Sequence, residues 1–447
     1  MATVTSGSPG LGRVRQSDLP FVDVTKPPYN AVGDGVTDCL AAFDAALAAS
    51  DSVLIPPGTY YVSDTIVVQA HNKRLVGYGS GVSVVTGDFA GPLLSFTSGG
   101  GANPTLIRGG GSGFSLVGDD ANTTYGLYVY DCAELDFSDV LCTDCMLDGV
   151  RMEIAISCTL RQCSSKLNGG SGFYVGAGTK SAVELRSNNN ALIGCVGNQN
   201  EEAGLTLHRA YGNKAIGGCD FSSNVNGVLL SGAARNVLHG DWIESNSAGA
   251  VRSIQSASPT TFNAESNTID SCLITGTDIQ IENGNFNALI NNFVGANIVI
   301  SGGSATSSTR IYPQAYFAGT ITDNGNATLN RANPASEYTK VSGALRYQRT
   351  IGTTVDFTSD IRAFRYNQTL GISATSTAAN NLRGTVTLSG GTAAVTFPTA
   401  EANATYFLAL SSDANETIRW SSKATGGFTV TSSNAGSTAV VDWILMR

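Results

Sequence analysis

Charge, proline and long apolar runs are all scarce in this chain, and each shortage excludes something. Only 14% of the 447 residues are charged while 42% are hydrophobic, the reverse of the composition that keeps a chain disordered. No apolar run is long enough for a transmembrane helix. The start, Met1-Ala2-Thr3-Val4-Thr5-Ser6, has neither a basic stretch nor an apolar one, so no secretory signal is visible. Basic residues are outnumbered, 26 Lys and Arg against 35 Asp and Glu, for a net charge of −9. That leaves no electrostatic footprint for nucleic acid or an anionic membrane as partner. Histidine is rare at 3 residues, and no Ser-His-Asp motif stands out. Cys142-x-x-Cys145 lacks a second pair to complete a zinc site. No metal and no cofactor is expected.

What is abundant is glycine, at 52 residues, together with Asn, Ser and Thr. This composition at this length predicts a large all-β protein rich in turns. The nine cysteines are an odd number. Several recur at repeating positions, which predicts buried reduced thiols acting as small hydrophobes and folding in a reducing cytoplasm.

The repeats decide the architecture. A Gly followed by an alternating apolar segment recurs at Gly126, Gly149, Gly172, Gly204, Gly227 and Gly249, at intervals of 23, 23, 32, 23 and 22 residues. The long interval holds an insertion from Gly176 to about residue 190. Cys163, Cys195 and Cys219 lie eight or nine residues before their Gly, and Asn168, Asn200, Asn224 and Asn246 three or four before. A period near 23 with short alternating strands describes a right-handed parallel β-helix, whose coils stack at about 4.8 Å so that equivalent residues form ladders. Cys and aliphatic ladders are expected inside, and Asn ladders along the turns. The Gly109–Gly113 run reads as a turn.

The expected organisation is an N-terminal extension at 1–19, a β-helix at 20–305 with an Ala-rich capping helix near 38–49, a connector at 306–343, and a C-terminal β-sandwich at 344–447. The last assignment rests on short alternating strands such as Thr385-Val-Thr-Leu, Tyr406-Phe-Leu-Ala-Leu and Val440-Val-Asp-Trp at about 10-residue spacing.

Alternation also sorts the repeat into inward and outward positions. Leu127, Val150, Phe173, Leu205, Val228 and Ala250, each one past its Gly, point inward. The residues two and four past it then point outward: Tyr128 and Tyr130, Arg151 and Glu153, Tyr174 and Gly176, Thr206 and His208, Leu229 and Ser231. The result is a strip about 15–20 Å long by coil count, either a sugar-binding groove or an unused surface. Glu153 is the carboxylate placed for general-acid work, or else a surface partner of Arg151. Asp131, one coil below, and Glu184, in the insertion and in register with His208, are candidate partner carboxylates. His208 beside Arg209 is a candidate base for β-elimination on a uronate, a sugar hydrogen-bonder, or an ordinary surface residue. Arg186 or Arg209 would neutralise the uronate. A second face carries Asp220, Trp242 and Glu244, with Trp242 either a sugar platform or wall packing. Asp241 is inward or turn-forming.

One segment carries a resemblance. Tyr29-Asn30-Ala31-Val32-Gly33-Asp34-Gly35-Val36-Thr37-Asp38, the Ala-rich run after it, Leu54-Ile55-Pro56-Pro57-Gly58-Thr59-Tyr60 and Leu75-Val76-Gly77-Tyr78-Gly79 resemble the opening of the pectate-lyase-superfamily β-helix found in bacteriophage tailspikes and capsule depolymerases. Asn30 and Cys39 depart from its usual Gly and second Asp, at positions of a folding signature. The end of the chain, Trp420 through Val441-Asp442-Trp443, resembles the terminal modules of phage tail fibres, which trimerise the fibre or touch carbohydrate. The resemblance implies a homotrimer of the virion tail, joined to other phage tail proteins, that binds a bacterial surface polysaccharide and cleaves it. Hydrolysis is the first expectation, with a uronate lyase and a non-cleaving adhesin as alternatives. The chain begins only some 20 residues before the cap, so attachment through another fibre, or a longer parent chain, is expected. The opening transfers no catalytic residue.

Overall fold

The computed structural model describes residues 21–98, 105–254, 264–350 and 383–446, with short breaks at 283, 286, 304–305, 308, 313, 326–327, 334–335, 342–343, 398–399, 402–403 and 415. The extension expected at 1–19 lies outside the described residues. Two compact units divide between Arg362 and Ala363.

In the first unit the sequence repeat becomes a stack of parallel coils. Ile66, Leu94, Leu127, Val150, Phe173, Leu205, Val228, Val251, Ile279 and Ile298 stand over one another in parallel register. None of these ten is more than 1% exposed. Burying each such side chain is worth about 1.5–3 kcal/mol, so this column anchors the register of every coil. It also corrects one rung. Asn226, not Gly227, pairs with Gly249. Val251 therefore takes the inward place expected for Ala250, and the spacing of 23 from Val228 is kept.

Polar ladders run beside the apolar one. Asn168, Asn200, Asn224 and Asn246 pass hydrogen bonds from coil to coil, each backbone N–H donating to the Oδ1 above at 2.9–3.2 Å. A second series runs from Asn190 through Asn213, Asn236 and Asn267 to Asn287 at 2.9–3.1 Å. All nine cysteines are free and buried. Cys195 and Cys219 belong to a third column that continues through Asp241, Cys272, Asn292 and Gln314. Asp241 is thus inward, and fully buried.

A helix, Leu40–Ala49, closes the first coil by burying Ala42, Phe43, Ala46 and Leu47. Phe43 meets Tyr60 edge to face at 6.0 Å. Its N-cap is Cys39, one residue inside the expected start. Asp38 still serves the helix end, accepting the Leu40 N–H at 3.0 Å while also bonding Ser63. The Gly109–Gly113 run is not a turn. It lies within the strand Leu106–Val117, where a Cβ on Gly110 would sit 1.9 Å from the Asp136 carbonyl oxygen. Glycine permits that approach and the φ of +125° there.

Coil stacking continues past residue 305, where the sequence period fades. Thr309–Ile311 stacks on Ala288–Ile290, and Ile321–Gly325 on Ile298–Gly303. Thr328–Asn333, Ser336–Val341 and Ala344–Thr350 then pair antiparallel.

The second unit holds two three-stranded antiparallel sheets. Val440–Met446 lies between Arg383–Thr387 and Phe407–Ser412, and Gly427–Ser432 between Thr392–Thr396 and Ile418–Ala424. Phe397, Tyr406, Phe428, Val430, Val441 and Trp443 form its core, with Phe428 and Trp443 edge to face at 5.3 Å. This is the β-sandwich expected from the strand spacing, but its described strands begin at Arg383, and Ala344–Thr350, expected within it, belongs to the first unit's sheet.

Candidate functional site

The two ladders form in the register that alternation requires, but Thr206, Leu229 and Ser231, expected outward, are buried, so the exposed strip ends near His208. Tyr128, Arg151, Tyr174, Thr206 and Leu229 make one ladder, and Tyr130, Glu153, Gly176, His208 and Ser231 the other. Register alone brings these residues together, since each pair of rungs is separated by one coil step.

Arg151 is the hub. Its guanidinium lies 3.9 Å from the centre of the Tyr174 ring and 5.2 Å from that of Tyr125. Nη1 donates to Asp148 Oδ2 at 2.7 Å, and Nη2 and Nε donate to Glu153 Oε1 at 2.7 and 3.2 Å. The other Glu153 oxygen accepts the Tyr128 hydroxyl at 2.8 Å. Desolvation opposes the charge on Arg151, but Glu153 and Asp148 more than offset it and raise its pKa. Burial pushes the Tyr174 hydroxyl up to about 12 and Tyr128 higher still, the Glu153 carboxylate adding to the latter. Burial likewise raises the Asp148 carboxyl, against a hydrogen bond from the Ser171 N–H at 2.8 Å and the pull of Arg151.

The stack extends at both ends. Tyr125 packs on Tyr128 at 5.5 Å, and Tyr128 on Tyr130 at 6.0 Å. At the other end Tyr174 stacks on His208 at 6.1 Å. Gly176 makes room for this, because a Cβ there would lie 2.4 Å from the Tyr174 ring. His208 Nδ1 meets Ser231 Oγ at 3.2 Å. Burial, with the neighbouring Arg209 charge, lowers the His208 pKa, so the imidazole is neutral at pH 7.

The insertion supplies a wall. Gly178–Lys180 and Val183–Leu185 form an antiparallel hairpin that crosses over Glu153 and Ile154. It is pinned at several points. The Tyr130 hydroxyl donates to the Thr179 carbonyl, Lys180 pairs with Asp131, and Arg209 pairs with Glu184. Asp131 is only 2% exposed and also accepts from Ser98 and Thr105. Its geometry makes it an anchor for the hairpin. Arg186 follows the hairpin's second strand.

Asp220, Trp242 and Glu244 lie apart from the strip, on another face. Asp220 bridges to Trp242, which stacks in register with Leu273, Phe293 and Tyr316. Trp242 is 55% exposed, so wall packing does not account for it. Phe293 and Tyr316 lie face on face, 4.4 Å apart and 16° from parallel, which turns their edges outward.

Tyr125, Asp148, Ser171, Lys180 and Glu202 belong to the site and escaped the sequence reading. Tyr125, Asp148 and Ser171 each precede a repeat Gly, a position whose polar and aromatic character on successive coils was the available signal. Glu202 accepts the Ser171 hydroxyl at 3.1 Å, and that hydroxyl meets Thr206 Oγ1 at 2.8 Å.

No protein-family model matches the chain, and no curated protein does. Solved structures do. The tailspike gp42 of Acinetobacter phage vb_AbaP_AS12 aligns over 96% of this chain and 82% of its own, with 14% identity and a TM-score of 0.53. ORF18 of Geobacillus virus E2 aligns over 72% of this chain with 17% identity and a TM-score of 0.52. The match spans 66% of the ORF18 chain, just under two thirds of its length. The chain has the parallel β-helix fold that these phage proteins share.

Proposed function

We propose that this chain is a tailspike-type protein of a phage virion tail, folded in the host cytoplasm as a homotrimer and joined to other tail proteins. Its work is to bind and depolymerise a bacterial surface polysaccharide. The observation that carries the reading is the Arg151-centred stack, in which tyrosines and Glu153 lie in register beside an inserted hairpin and Asp148 binds the same guanidinium. Stacked aromatics with a few convergent polar groups suit a sugar chain, and likeness of fold to a phage tailspike agrees with it.

Hydrolysis fits the two carboxyls. Both carboxyls accept hydrogen bonds on both oxygens, and what separates them is burial, the Asp148 side chain being 5% exposed and that of Glu153 15%. The acid role expected for Glu153 passes in this proposal to Asp148, whose carboxyl burial raises. Asp148 protonates the departing glycosidic oxygen as its bond to the anomeric carbon breaks. Glu153 either takes a proton from the attacking water or bonds the anomeric carbon directly. Arg151, between them, holds their geometry. His208 favours a second reading. A neutral imidazole beside Arg209 would abstract the proton in β-elimination on a uronate.

The test is Glu153→Gln, assayed by release of reducing ends from the polysaccharide that the wild type cleaves. A loss of about 10²–10⁴-fold is expected. Retention of activity removes Glu153 from the chemistry. Product carrying the ultraviolet absorbance of an unsaturated uronate establishes elimination instead, and binding without any product establishes an adhesin.

A further inference from the structure

The cations of the strip are already matched. Arg151 pairs with Asp148 and Glu153, Lys180 with Asp131, and Arg209 with Glu184. Arg186 is engaged in an interaction of its own. The next cation up the ladder, Arg252, holds Glu282 at 2.6 Å. Glu202 adds a carboxylate at the edge beside Ser171. Among these side chains the six carboxyls of Asp131, Asp148, Glu153, Glu184, Glu202 and Glu282 face five cations.

A uronate-rich polymer carries regularly spaced negative charges, and gripping it requires cations that can turn to it. Here each uronate would have to displace a carboxylate from its partner. Arg209 and Asp131 are almost wholly buried, and breaking a buried pair leaves an uncompensated charge. The rings of Tyr125, Tyr128, Tyr130 and Tyr174 are uncharged, and stacking of sugar on them would not depend on the charge of the polymer.

We infer that the strip takes a neutral glycan, one without uronate or other acidic groups along the segment in contact with Tyr128, Arg151 and Tyr174. The inference rests on the reading of the strip as the glycan site and narrows its substrate class. It sets hydrolysis above uronate elimination, because among the described residues of the strip each cation is already engaged and the uronate carboxylate would have to displace a partner.

Purified bacterial surface polysaccharides of known composition, neutral and uronate-bearing, test this by calorimetric binding and reducing-end release. The expected result is a neutral polymer bound and cleaved, with affinity unchanged between about 0.01 and 0.15 M salt, a range over which the Debye length falls from about 30 to 8 Å. A second measurement uses the Glu202→Gln, Glu282→Gln double variant, which removes the edge charge and the ion-pair partner of the part-exposed Arg252. It is expected to bind a uronate polymer about tenfold more tightly than the wild type does. Wild-type cleavage of a uronate polymer, with affinity that falls as salt rises, overturns the inference while leaving the glycan-processing function standing. Failure to bind any polysaccharide overturns both.

Discussion

The inner columns and the outer strip are built by one rule and filled in opposite ways. In both, parallel register stacks equivalent residues at a single coil step. Inside, the apolar column and the asparagine columns each repeat one chemistry. From Asn190 to Asn287 every rung is asparagine, each side chain donating to the next until Asn287, which donates back to the Ala264 carbonyl. Outside, from Tyr128 to Leu229 and from Tyr130 to Ser231, no two adjacent rungs carry the same residue. Sameness makes a continuous hydrogen-bonded stack, and variety makes a surface with a particular shape. In this protein a ladder's composition therefore separates support from function.

The strongest way to break that comparison is Asn213→Leu. Asn213 Oδ1 accepts from the Asn190 N–H and side chain at 3.0 and 2.9 Å, and its Nδ2 donates to Asn236 at 3.1 Å. Leucine would orphan buried groups on both neighbouring coils, each at about 1–3 kcal/mol. A loss of about 3–5 kcal/mol is expected in denaturant unfolding, enough to uncouple the coils on either side.

Asp241 is the one carboxyl of the mixed third column, and pH sharpens what it does. In its column four members give a hydrogen to a carbonyl of the preceding coil, while the Cys272 thiol meets the Asp270 carbonyl of its own coil at 3.4 Å. Cys195 gives to Leu160 at 3.4 Å, Cys219 to Leu192 at 3.6 Å, Asn292 to Ile269 at 3.0 Å and Gln314 to Leu289 at 3.1 Å. Asp241 Oδ1 accepts the Cys219 N–H at 3.0 Å, but Oδ2 is buried and has no partner among the described residues. Only the protonated acid could donate there. Burial accordingly raises its pKa from 3.8 to about 6, against the Cys219 and His239 bonds. His239 on the adjacent turn is tied to Asp270, and Cys219 and Cys272 flank the carboxyl. A raised acid stabilises the fold fully below about pH 4, and that stability is lost as pH climbs through about 6. The difference is on the order of 3 kcal/mol at 1.36 kcal/mol per unit. Asp241→Asn should flatten stability between pH 4 and 7 relative to the wild type. Parallel curves for the two proteins would show that Asp241 is ionised in the fold throughout.

The smallest effect is expected on the far face. Trp242→Ala removes a side chain that is 55% exposed, so stability should change by less than about 1 kcal/mol. Cleavage at the strip should be unaffected. A marked loss of either would join the two faces in one function.

These contrasts also explain what was legible in the sequence. The inner columns announce themselves, because sameness is what a period detects. The Cys and Asn spacings and the Leu127-to-Val228 column locate the coils without a structure. Gly249 misled by one place, since the glycine moved while the valine kept its spacing. Beyond residue 305 the stacked strands lack a repeated residue type, so the sequence there suggests a connector where the structure has coils. Tyr128, Arg151, Tyr174 and His208 were placed by alternation. Asp148 and Tyr125 were not, because they precede the strands whose alternation was being counted. Lys180 could not be, because its contact with Asp131 is made by a hairpin folding back across coils.

That hairpin leaves after Gly176 and is gathered in again at Ser187, whose N–H and hydroxyl both reach the Gly176 carbonyl, at 3.3 and 2.6 Å. Phe173 and Leu205 stay in register across the excursion as though it were not there. A clasp at the neck confines the cost of any change in the loop to the loop itself, and closing a longer one costs little more. Such a corner lets a lineage exchange one surface loop for another while the stack beneath it goes on folding unchanged. New specificity in a protein of this kind can arrive as a graft, with no renegotiation of the core.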